Sequence, residues 1–313
     1  MAYYLGIDGG GSKTTCAVGD DDSTLTTAIS GPSNIVRVGE AEARRSLHQA
    51  VTQACAAAGI SARQITRTCI GAAGVGSSEV SPILRRILED LLFTEALVTG
   101  DMQIALEAAF PSAPGIVVIA GTGSIVYGRD AHEDTARAGG WGFAVSDEGS
   151  AHWIGRNAVA MIFRAYDLAQ KEIGSRAHLD LELFRVLPES WNVASIDHLV
   201  RAANATPAPN FAALFPGILA CANAGHELSR QVLTRAAGEL AQLASVVIPR
   251  LFPEEKRNTR IPLAMVGGVF RHSDLVRKAF YNEMKKLYSG AEVLPHVVEP
   301  VEGALRLARA GKA

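Results

Sequence analysis

The feature that most constrains this chain is a pair of similar glycine loops, each lying between two apolar runs. The first loop is Gly9 to Ser12 (GGGS) and the second is Gly121 to Ser124 (GTGS). Each pattern predicts a strand, a glycine turn and a second strand. Because glycine has no Cβ, backbone N–H groups at such a turn can converge on an anion. The two copies predict an internally duplicated fold that binds one polyphosphate from both sides.

Neither loop matches the common nucleotide-binding fingerprints. Ser12 separates Gly11 from Lys13, so the spacing of a P-loop is not met. A dinucleotide fingerprint requires a third glycine, but Thr14 and Val126 stand at that position, and strands rather than helices follow. A plain hairpin turn does not need three glycines followed by lysine and threonine. Phosphate binding is therefore the favoured interpretation.

Length and periodicity predict two α/β domains. A chain of 313 residues has room for two domains of ordinary size, and strands alternate with helices in each half. The pattern restarts near residue 114, which predicts a first domain over residues 1–113 and a second over 114–299. The segment Ser175 to Asn210 has no clear pattern. The apolar spacing predicts helices at Glu40 to Gly59, Ser81 to Leu92, Met102 to Ala109, Ala151 to Gln170, Leu228 to Leu251, Ser273 to Leu287 and Val301 to Ala310.

Charge and composition exclude several classes of partner. The net charge is −2 and no basic stripe is present, so nucleic acid and anionic membranes are not expected partners. The two long uncharged stretches, Ala108 to Gly128 and Ala202 to Gly225, contain prolines and do not predict membrane spans. The four cysteines are widely spaced, without a CxxC pair, and predict buried thiols in a reducing cytosol. With no export signal visible, we expect a cytoplasmic protein.

Three aspartates stand where strands end or helices begin. Asp8 follows the first strand, and we interpret it as a residue on the Mg²⁺ side of a bound triphosphate, or as a turn cap. Asp101 either caps a helix or acts as the base that accepts a proton from an attacking hydroxyl. Asp147, with Glu148, either begins a helix or accepts hydrogen bonds from a sugar beside Trp141 and Trp153.

One further glycine pair follows a buried strand. At Gly267-Gly268 the backbone can be approached by a flat ring such as adenine, or the pair is a simple turn.

Together these stretches resemble the superfamily of sugar kinases, Hsp70 and actin. Within it the chain is similar to the N-acetylglucosamine kinase branch, which is grouped with the BadF/BadG/BcrA/BcrD ATPases. The matching segments are GIDGGGSKT, the SN pair at Ser33, TGD ending at Asp101, IAGTGS, GGVF, PVEGAL and, most specifically, GGWGFAVSDEGSAHWIG over Gly139 to Gly155.

The resemblance implies a fold and a set of roles. The fold is α/β, with two RNase H-like (actin-like ATPase) domains, an interdomain cleft, and a last helix at residues 300–313 that returns to the first domain. The implied substrates are ATP with Mg²⁺ and an amino sugar, and the implied assembly is a homodimer. The implied roles are Asp101 as catalytic base; Asn34, Thr122, Gly139, Gly140 and Asp147 at the sugar; Gly10, Gly11, Ser12, Lys13, Gly121, Thr122, Gly123 and Gly268 at the nucleotide; and Asp8 near Mg²⁺.

The chain departs from some relatives in one loop, and alternatives remain. Ile35-Val36-Arg37 replaces a tryptophan close after Asn34, so glucosamine or N-acetylmuramic acid is possible besides N-acetylglucosamine. A second possibility is an ATP-driven electron-transfer activator, which would need cysteines near the glycine loops for an iron–sulfur cluster; only Cys16 lies near one. A third is a sugar-sensing regulator, for which the chain has no helix-turn-helix segment.

Overall fold

The computed structural model describes residues 2–76, 79–171, 191, 193, 195–253 and 260–311. The chain forms two compact units. The first comprises Met1–Val117, Tyr127–Thr135 and His296–Ala313, and the second comprises Val118–Val126 and Ala136–Pro295. The domain division expected from sequence, with a boundary between residues 113 and 114, stays a prediction.

The first unit is built on a five-stranded sheet with the order β3-β2-β1-β4-β5. Strand β1 is antiparallel to β2, which is antiparallel to β3, whereas β1, β4 and β5 run parallel. In register, Gly9 of β1 lies beside Ala72 of β4, which lies beside Gly100 of β5. The three carboxyl ends therefore share one edge of the sheet, where ligands of such folds bind. The strands are β1 Tyr3–Gly9, β2 Thr14–Gly19, β3 Thr24–Ser30, β4 Ile65–Ala72 and β5 Ala96–Gly100.

The second sheet also has five strands, with the order β10-β9-β6-β7-β8. The second glycine loop connects β6 directly to β7, as the sequence predicts. The strands are β6 Gly115–Ala120, β7 Ser124–Arg129, β8 Thr135–Gly139, β9 Ile261–Val266 and β10 Ala291–Val298.

The helices confirm most of the predicted segments. The helices of the described residues are α1 Ile35–Ala57, α2 Val80–Leu92, α3 Asp101–Ala109, α4 Ala151–Lys171, α5 Ile196–Ala203, α6 Phe215–Asn223, α7 Glu227–Leu251, α8 Gly268–His272, α9 Asp274–Leu287 and α10 Pro300–Ala310. Helix α1 begins five residues earlier than predicted, because a helical turn precedes a kink at Gly39, where φ is 77°. The predicted start at Glu40 lies just after that kink. Helices α6 and α8 and strands β8 and β10 were not predicted.

Apolar side chains cover both faces of the first sheet. On one face α1 and α2 bury Leu47, Leu84 and Leu88 at helical spacing against the strands. On the other face α3 and α10 pack closely on β1. A Cβ at Gly6 of β1 would lie 2.8 Å from the carbonyl oxygen of Val301, so glycine at this position allows α10 to approach the strand.

Other predictions have mixed outcomes. The four cysteines are buried free thiols, as predicted. None of the described helices is both long enough and apolar enough to cross a membrane. Of the unclear segment Ser175 to Asn210, residues 175–190, 192 and 194 lie outside the described residues, and the remainder contains α5.

Candidate functional site

The first glycine loop is a closed hairpin turn with an open face. The N–H group of Gly10 donates to the carbonyl oxygen of Lys13 at 3.0 Å, and a Cβ on Gly10 would lie 2.8 Å from that oxygen. Glycine is therefore required for the loop to close. Ser12 and Lys13 are exposed, and within the described part of the chain the N–H group of Gly11 makes no hydrogen bond. An unbonded N–H donor beside an exposed lysine fits an anionic phosphate.

The same loop is bonded to the segment that contains Asn34. The N–H groups of Ser33 and Asn34 both donate to the carbonyl oxygen of Gly10, at 3.1 and 3.3 Å. The hydroxyl of Thr14 donates to the carbonyl oxygen of Gly31 at 2.8 Å and lies 2.7 Å from the hydroxyl of Ser33. These hydrogen bonds therefore attach the segment from Gly31 to Asn34 to the glycine loop.

The side-chain oxygen of Asn34, at the end of this segment, is the next feature of the site. It is the N-cap of α1, yet its side chain makes no capping hydrogen bond, although asparagine is among the preferred N-caps. Its Oδ1 atom is buried and has no hydrogen-bond partner among the described residues. A buried acceptor without a partner is costly, and a hydroxyl or amide of a ligand would satisfy it.

Asp101 begins α3 at the end of β5, on the same sheet edge as the first glycine loop. It is not the N-cap: Gly100 occupies that position, and Gln103 Oε1 accepts hydrogen bonds from the N–H group of Gly100 and the hydroxyl of Thr99, both at 2.6 Å. One carboxylate oxygen of Asp101 accepts the N–H of Met102 at 2.9 Å. Burial raises the pKa of Asp101. Hydrogen bonds from the N–H groups of Met102 and of Asp101 itself lower this pKa by less. A desolvated carboxylate of raised basicity suits proton abstraction.

Asp8 lies one residue before the end of β1, beside Gly71 of β4. This register places it on the same edge as Asp101. No cluster of three or more His, Cys, Asp or Glu side chains able to hold a metal occurs among the described residues. Mg²⁺ commonly takes one or two carboxylates together with phosphate oxygens and water, so a single carboxylate at this edge fits a nucleotide-bound ion.

In the second unit the second glycine loop is anchored to the start of α4. The N–H of Gly121 donates to the carbonyl oxygen of Gly123 at 2.9 Å. The N–H groups of Ala151 and His152 donate to the carbonyl oxygens of Gly121 and Thr122 at 2.9 and 3.3 Å. A Cβ placed on Gly121 meets no heavy atom within 4 Å. The loop thus has a fixed backbone and an open surface.

Asp147 lies against this loop rather than in a helix. Its φ is 65° and the helix begins only at Ala151, so the interpretation that Asp147 begins a helix is wrong. The N–H groups of Ser124 and Gly142 donate to its buried carboxylate, and a Cβ on Gly123 would lie 2.7 Å from its Oδ2. Burial raises the pKa of Asp147, and the negative charge of Glu148 raises it further.

The glycine run before Asp147 needs a backbone that other residues rarely adopt. Gly139, Gly140 and Gly142 have φ values of 72°, 69° and 99°. A Cβ on Gly139 would lie 3.7 Å from the carbonyl oxygen of Ser124, so the run passes beside the start of β7.

The two tryptophans of this region differ in environment. Trp141 is 69% exposed, with the Arg137 guanidinium 4.3 Å from the centre of its ring. Trp153 is buried. Of these two tryptophans, Trp141 is therefore the one whose aromatic ring a ligand could contact.

The glycine pair Gly267-Gly268 also lies beside the second glycine loop. Gly267 has φ of 99°, and a Cβ there would lie 2.5 Å from the carbonyl oxygen of Ala120, the last residue before the loop. Gly268 begins α8, and among the described side chains the nearest atom to its Cβ position is a ring carbon of His272 at 3.9 Å. Its backbone can be approached closely, as the adenosine interpretation requires.

The structure thus places Asn34 against the first glycine loop, and Asp147 and Gly267 against the second. Asp8 and Asp101 lie on the sheet edge of the first loop, where β4 separates their two strands. Sequence reasoning missed Thr14, Ser33, Gln103 and Ser124, which hold these segments in place. The signal for two of them is their position, because Thr14 and Ser124 each open the strand that follows a glycine loop.

Comparison with known proteins assigns the family. The pattern of the BadF/BadG/BcrA/BcrD ATPase family matches residues 5–308. The chain belongs to this ATPase family.

Proteins that are similar to this chain include sugar kinases. The chain is 29% identical over 311 residues to an N-acetylmuramic acid/N-acetylglucosamine kinase of Clostridium acetobutylicum, with 99% of each chain covered. It is 27% identical to an N-acetyl-D-glucosamine kinase of Dictyostelium discoideum, with 97% of each covered. A crystal structure from Chromobacterium violaceum, provisionally described as an N-acetylglucosamine kinase, has a TM-score of 0.70 at 23% identity and covers 98% of this chain and 99% of its own. That structure supports the fold.

Proposed function

We propose that this ATPase-family protein transfers the γ-phosphate of ATP to the 6-hydroxyl of an amino sugar, with N-acetylglucosamine as the leading acceptor. The observation that carries the proposal is the desolvated carboxyl of Asp101 on the sheet edge of the first glycine loop. A base whose pKa is raised by burial takes a proton from an attacking alcohol more readily. Phosphoryl transfer otherwise requires mainly positioning and charge stabilisation. The names of the relatives agree with this chemistry.

The residues divide by the part of the reaction they serve. We assign Asp101 as the base, and Asn34 and Asp147 as acceptors for sugar hydroxyl or amide hydrogens. Asp147 accepts backbone bonds through its carboxylate, while Asn34 Oδ1 has no donor within the part of the chain that the structure describes. We also assign Thr122 and the backbone of Gly139 and Gly140 to sugar binding. To phosphate binding we assign Gly10, Gly11, Ser12 and Lys13 of the first unit and Gly121, Thr122 and Gly123 of the second, and to adenosine binding we assign Gly268.

Bound Mg²⁺ would neutralise charge on the triphosphate. Asp8 is the residue that would hold it, directly or through water. The fit rests on its place at the sheet edge beside the first glycine loop, and on the preference of Mg²⁺ for few protein carboxylates.

The experiment that tests the proposal is a coupled ADP-release assay with four acceptors: N-acetylglucosamine, glucosamine, N-acetylmuramic acid and glucose. We expect N-acetylglucosamine to stimulate ADP release most, and mass spectrometry to locate the new phosphate on O6. A preference for glucosamine or N-acetylmuramic acid keeps the kinase and changes the acceptor. The proposal fails if none of the four sugars stimulates release above the rate with ATP alone.

The electron-transfer activator is the weaker alternative. Cys16, the cysteine nearest the first glycine loop, is fully buried in the apolar core of the first sheet. Burial raises the pKa of its thiol far above the ordinary value, which disfavours the thiolate that an iron–sulfur cluster needs. Iron and sulfide analysis of protein purified without oxygen would detect a cluster.

We also propose that the protein is a cytoplasmic homodimer. Four buried free thiols fit a reducing compartment. Light scattering coupled to size-exclusion chromatography tests the dimer: a monomer mass at micromolar concentration would refute it.

A further inference from the structure

In each unit a buried hydroxyl connects the glycine loop to the segment proposed to bind sugar. Thr14 opens β2 and donates to the carbonyl oxygen of Gly31 at 2.8 Å. Ser124 opens β7 and donates to the carbonyl oxygen of Glu148 at 2.7 Å. Thr14 is 0% exposed and Ser124 is 4% exposed. In both units the buried hydroxyl belongs to the first residue of the strand that follows the glycine loop.

In each unit, backbone hydrogen bonds join the same two segments that the hydroxyl bond joins. In the first unit Gly10 accepts from the N–H groups of Ser33 and Asn34. In the second unit Gly121 accepts from Ala151, and Ser124 itself donates through its N–H to the Asp147 carboxylate. Each loop therefore cannot shift without moving the residue that we assign to the sugar in the same unit.

We propose that Thr14 and Ser124 are positioning residues that couple nucleotide binding to amino-sugar binding. The inference rests on the proposed function, because it needs a nucleotide at the glycine loops and a sugar at Asn34 and Asp147. Phosphate oxygens that bind the loop N–H groups fix the loop peptides. The fixed peptides, through these hydroxyl and carbonyl bonds, hold Asn34 and Asp147 in place for the sugar.

The coupling must be reciprocal. If a bound nucleotide raises the affinity for the sugar by some factor, the sugar raises the affinity for the nucleotide by the same factor. Coupling between sites in proteins is commonly about 5–150-fold. We expect the wild-type protein to lie in this range. Removing either hydroxyl loses one of the bonds that transmit the coupling, and we expect the factor to fall at least threefold.

The test measures sugar affinity by calorimetry with and without a saturating, non-hydrolysable ATP analogue and Mg²⁺. The variants are Thr14→Val and Ser124→Ala, and Thr14→Ser serves as the conservative variant that keeps the hydroxyl. The matched control is Ser30→Ala. Ser30 also donates a hydroxyl bond to a main-chain carbonyl, that of Ser46 at 2.7 Å, in the same sheet as Thr14. Its bond does not involve the glycine loop or Asn34.

The expected result is a wild-type ratio in Thr14→Ser and Ser30→Ala and a reduced ratio in Thr14→Val and Ser124→Ala. A purely structural role would lower stability in Ser30→Ala and Thr14→Val alike and leave both ratios unchanged. Wild-type ratios in Thr14→Val and Ser124→Ala would overturn this inference alone. If the wild-type protein binds the ATP analogue but no amino sugar, the proposed function fails and the inference fails with it. Should Thr14→Val not fold, Ser124→Ala decides.

Discussion

Replacing Asp101 by asparagine should abolish most activity while making the protein more stable at neutral pH. Asparagine keeps the size of the side chain, and its Oδ1 can still accept the N–H of Met102, which lies 2.9 Å from Asp101 Oδ1. Gln103, not Asp101, satisfies the N-cap of α3. The substitution therefore removes the negative charge and the proton acceptor with little change in local geometry.

The size of the activity loss follows from the role of a general base. Such a group contributes about 10²–10⁴-fold to the rate, which corresponds to about 2.7–5.4 kcal/mol in the activation free energy. We expect kcat to fall by this factor, with the affinity for ATP retained.

The stability change has the opposite sign. Burial raises the pKa of Asp101 in the folded state above its unfolded value. Stability from this group is present at pH below the unfolded value, about 3.9, and is lost as the pH rises through the raised folded value. At neutral pH this contribution is smaller than at pH 4 in the wild-type protein, whereas Asp101→Asn has no carboxyl to ionise. The gain in the variant should therefore be larger at pH 7 than at pH 4.

Asp20→Asn is the matched control. Backbone N–H groups of Ser23 and Asp22 donate to the Asp20 carboxylate and lower its pKa. Its stability contribution is present above the unfolded pKa and lost as the pH falls through the folded value. Asp20→Asn should thus lower stability at neutral pH and leave kcat unchanged.

Urea denaturation at pH 4 and pH 7, together with the ADP-release assay, measures all of these effects. The reasoning about Asp101 is refuted if kcat stays within tenfold of the wild-type value. It is also refuted if Asp101→Asn is less stable than the wild type at pH 7.

Three further predictions concern other residues. Thr68→Val should raise the free energy of unfolding by about 1 kcal/mol, because the buried Thr68 hydroxyl has no hydrogen-bond partner in the described ranges; lower stability in urea would contradict this. Gly267→Ala should weaken binding of the ATP analogue at least tenfold, since its Cβ would lie 2.5 Å from the Ala120 carbonyl oxygen. Gly225→Ala, with φ of 96° and open space around the Cβ, has only the backbone strain and should bind normally. Asn34→Ala should raise the sugar KM at least tenfold in the ADP-release assay, with a smaller change in the KM for ATP; equal changes in both would count against Asn34 as a sugar contact.

Much of the local structure could be predicted because it depends on periodicity and turn chemistry. Helix α7 was predicted to within one residue from a stripe of alanine, leucine and valine. Strand β10 was missed because Pro295 and His296 interrupt its pattern. Proline is tolerated there because β10 lies at the edge of the second sheet.

The positions of the candidate residues were predictable, but their chemical states were not. Sequence left Asp101 as either a helix cap or a base; Gln103, which takes over the cap, decides the geometry through bonds of 2.6 Å. The local sequence predicts that Asp147 begins a helix. In the structure Asp147 lies outside the helix, and the N–H groups of Ser124 and Gly142 donate to its carboxylate. The bonds of Gln103 span only three and four residues, and a glutamine at the third helical position is a local capping signal that sequence reasoning overlooked. The bond from Ser124 to Asp147 joins residues far apart in the chain, and no local pattern encodes it.

The sequence by itself determined the two glycine hairpins, the α/β class and the family, because glycine spacing and apolar periodicity act over a few neighbouring residues. Only the tertiary structure decided which acceptors are unused and which carboxyls are desolvated. The orphaned Oδ1 of Asn34 and the raised pKa of Asp101 both depend on which distant groups remove water from a side chain. That depends on how the strands and helices pack together.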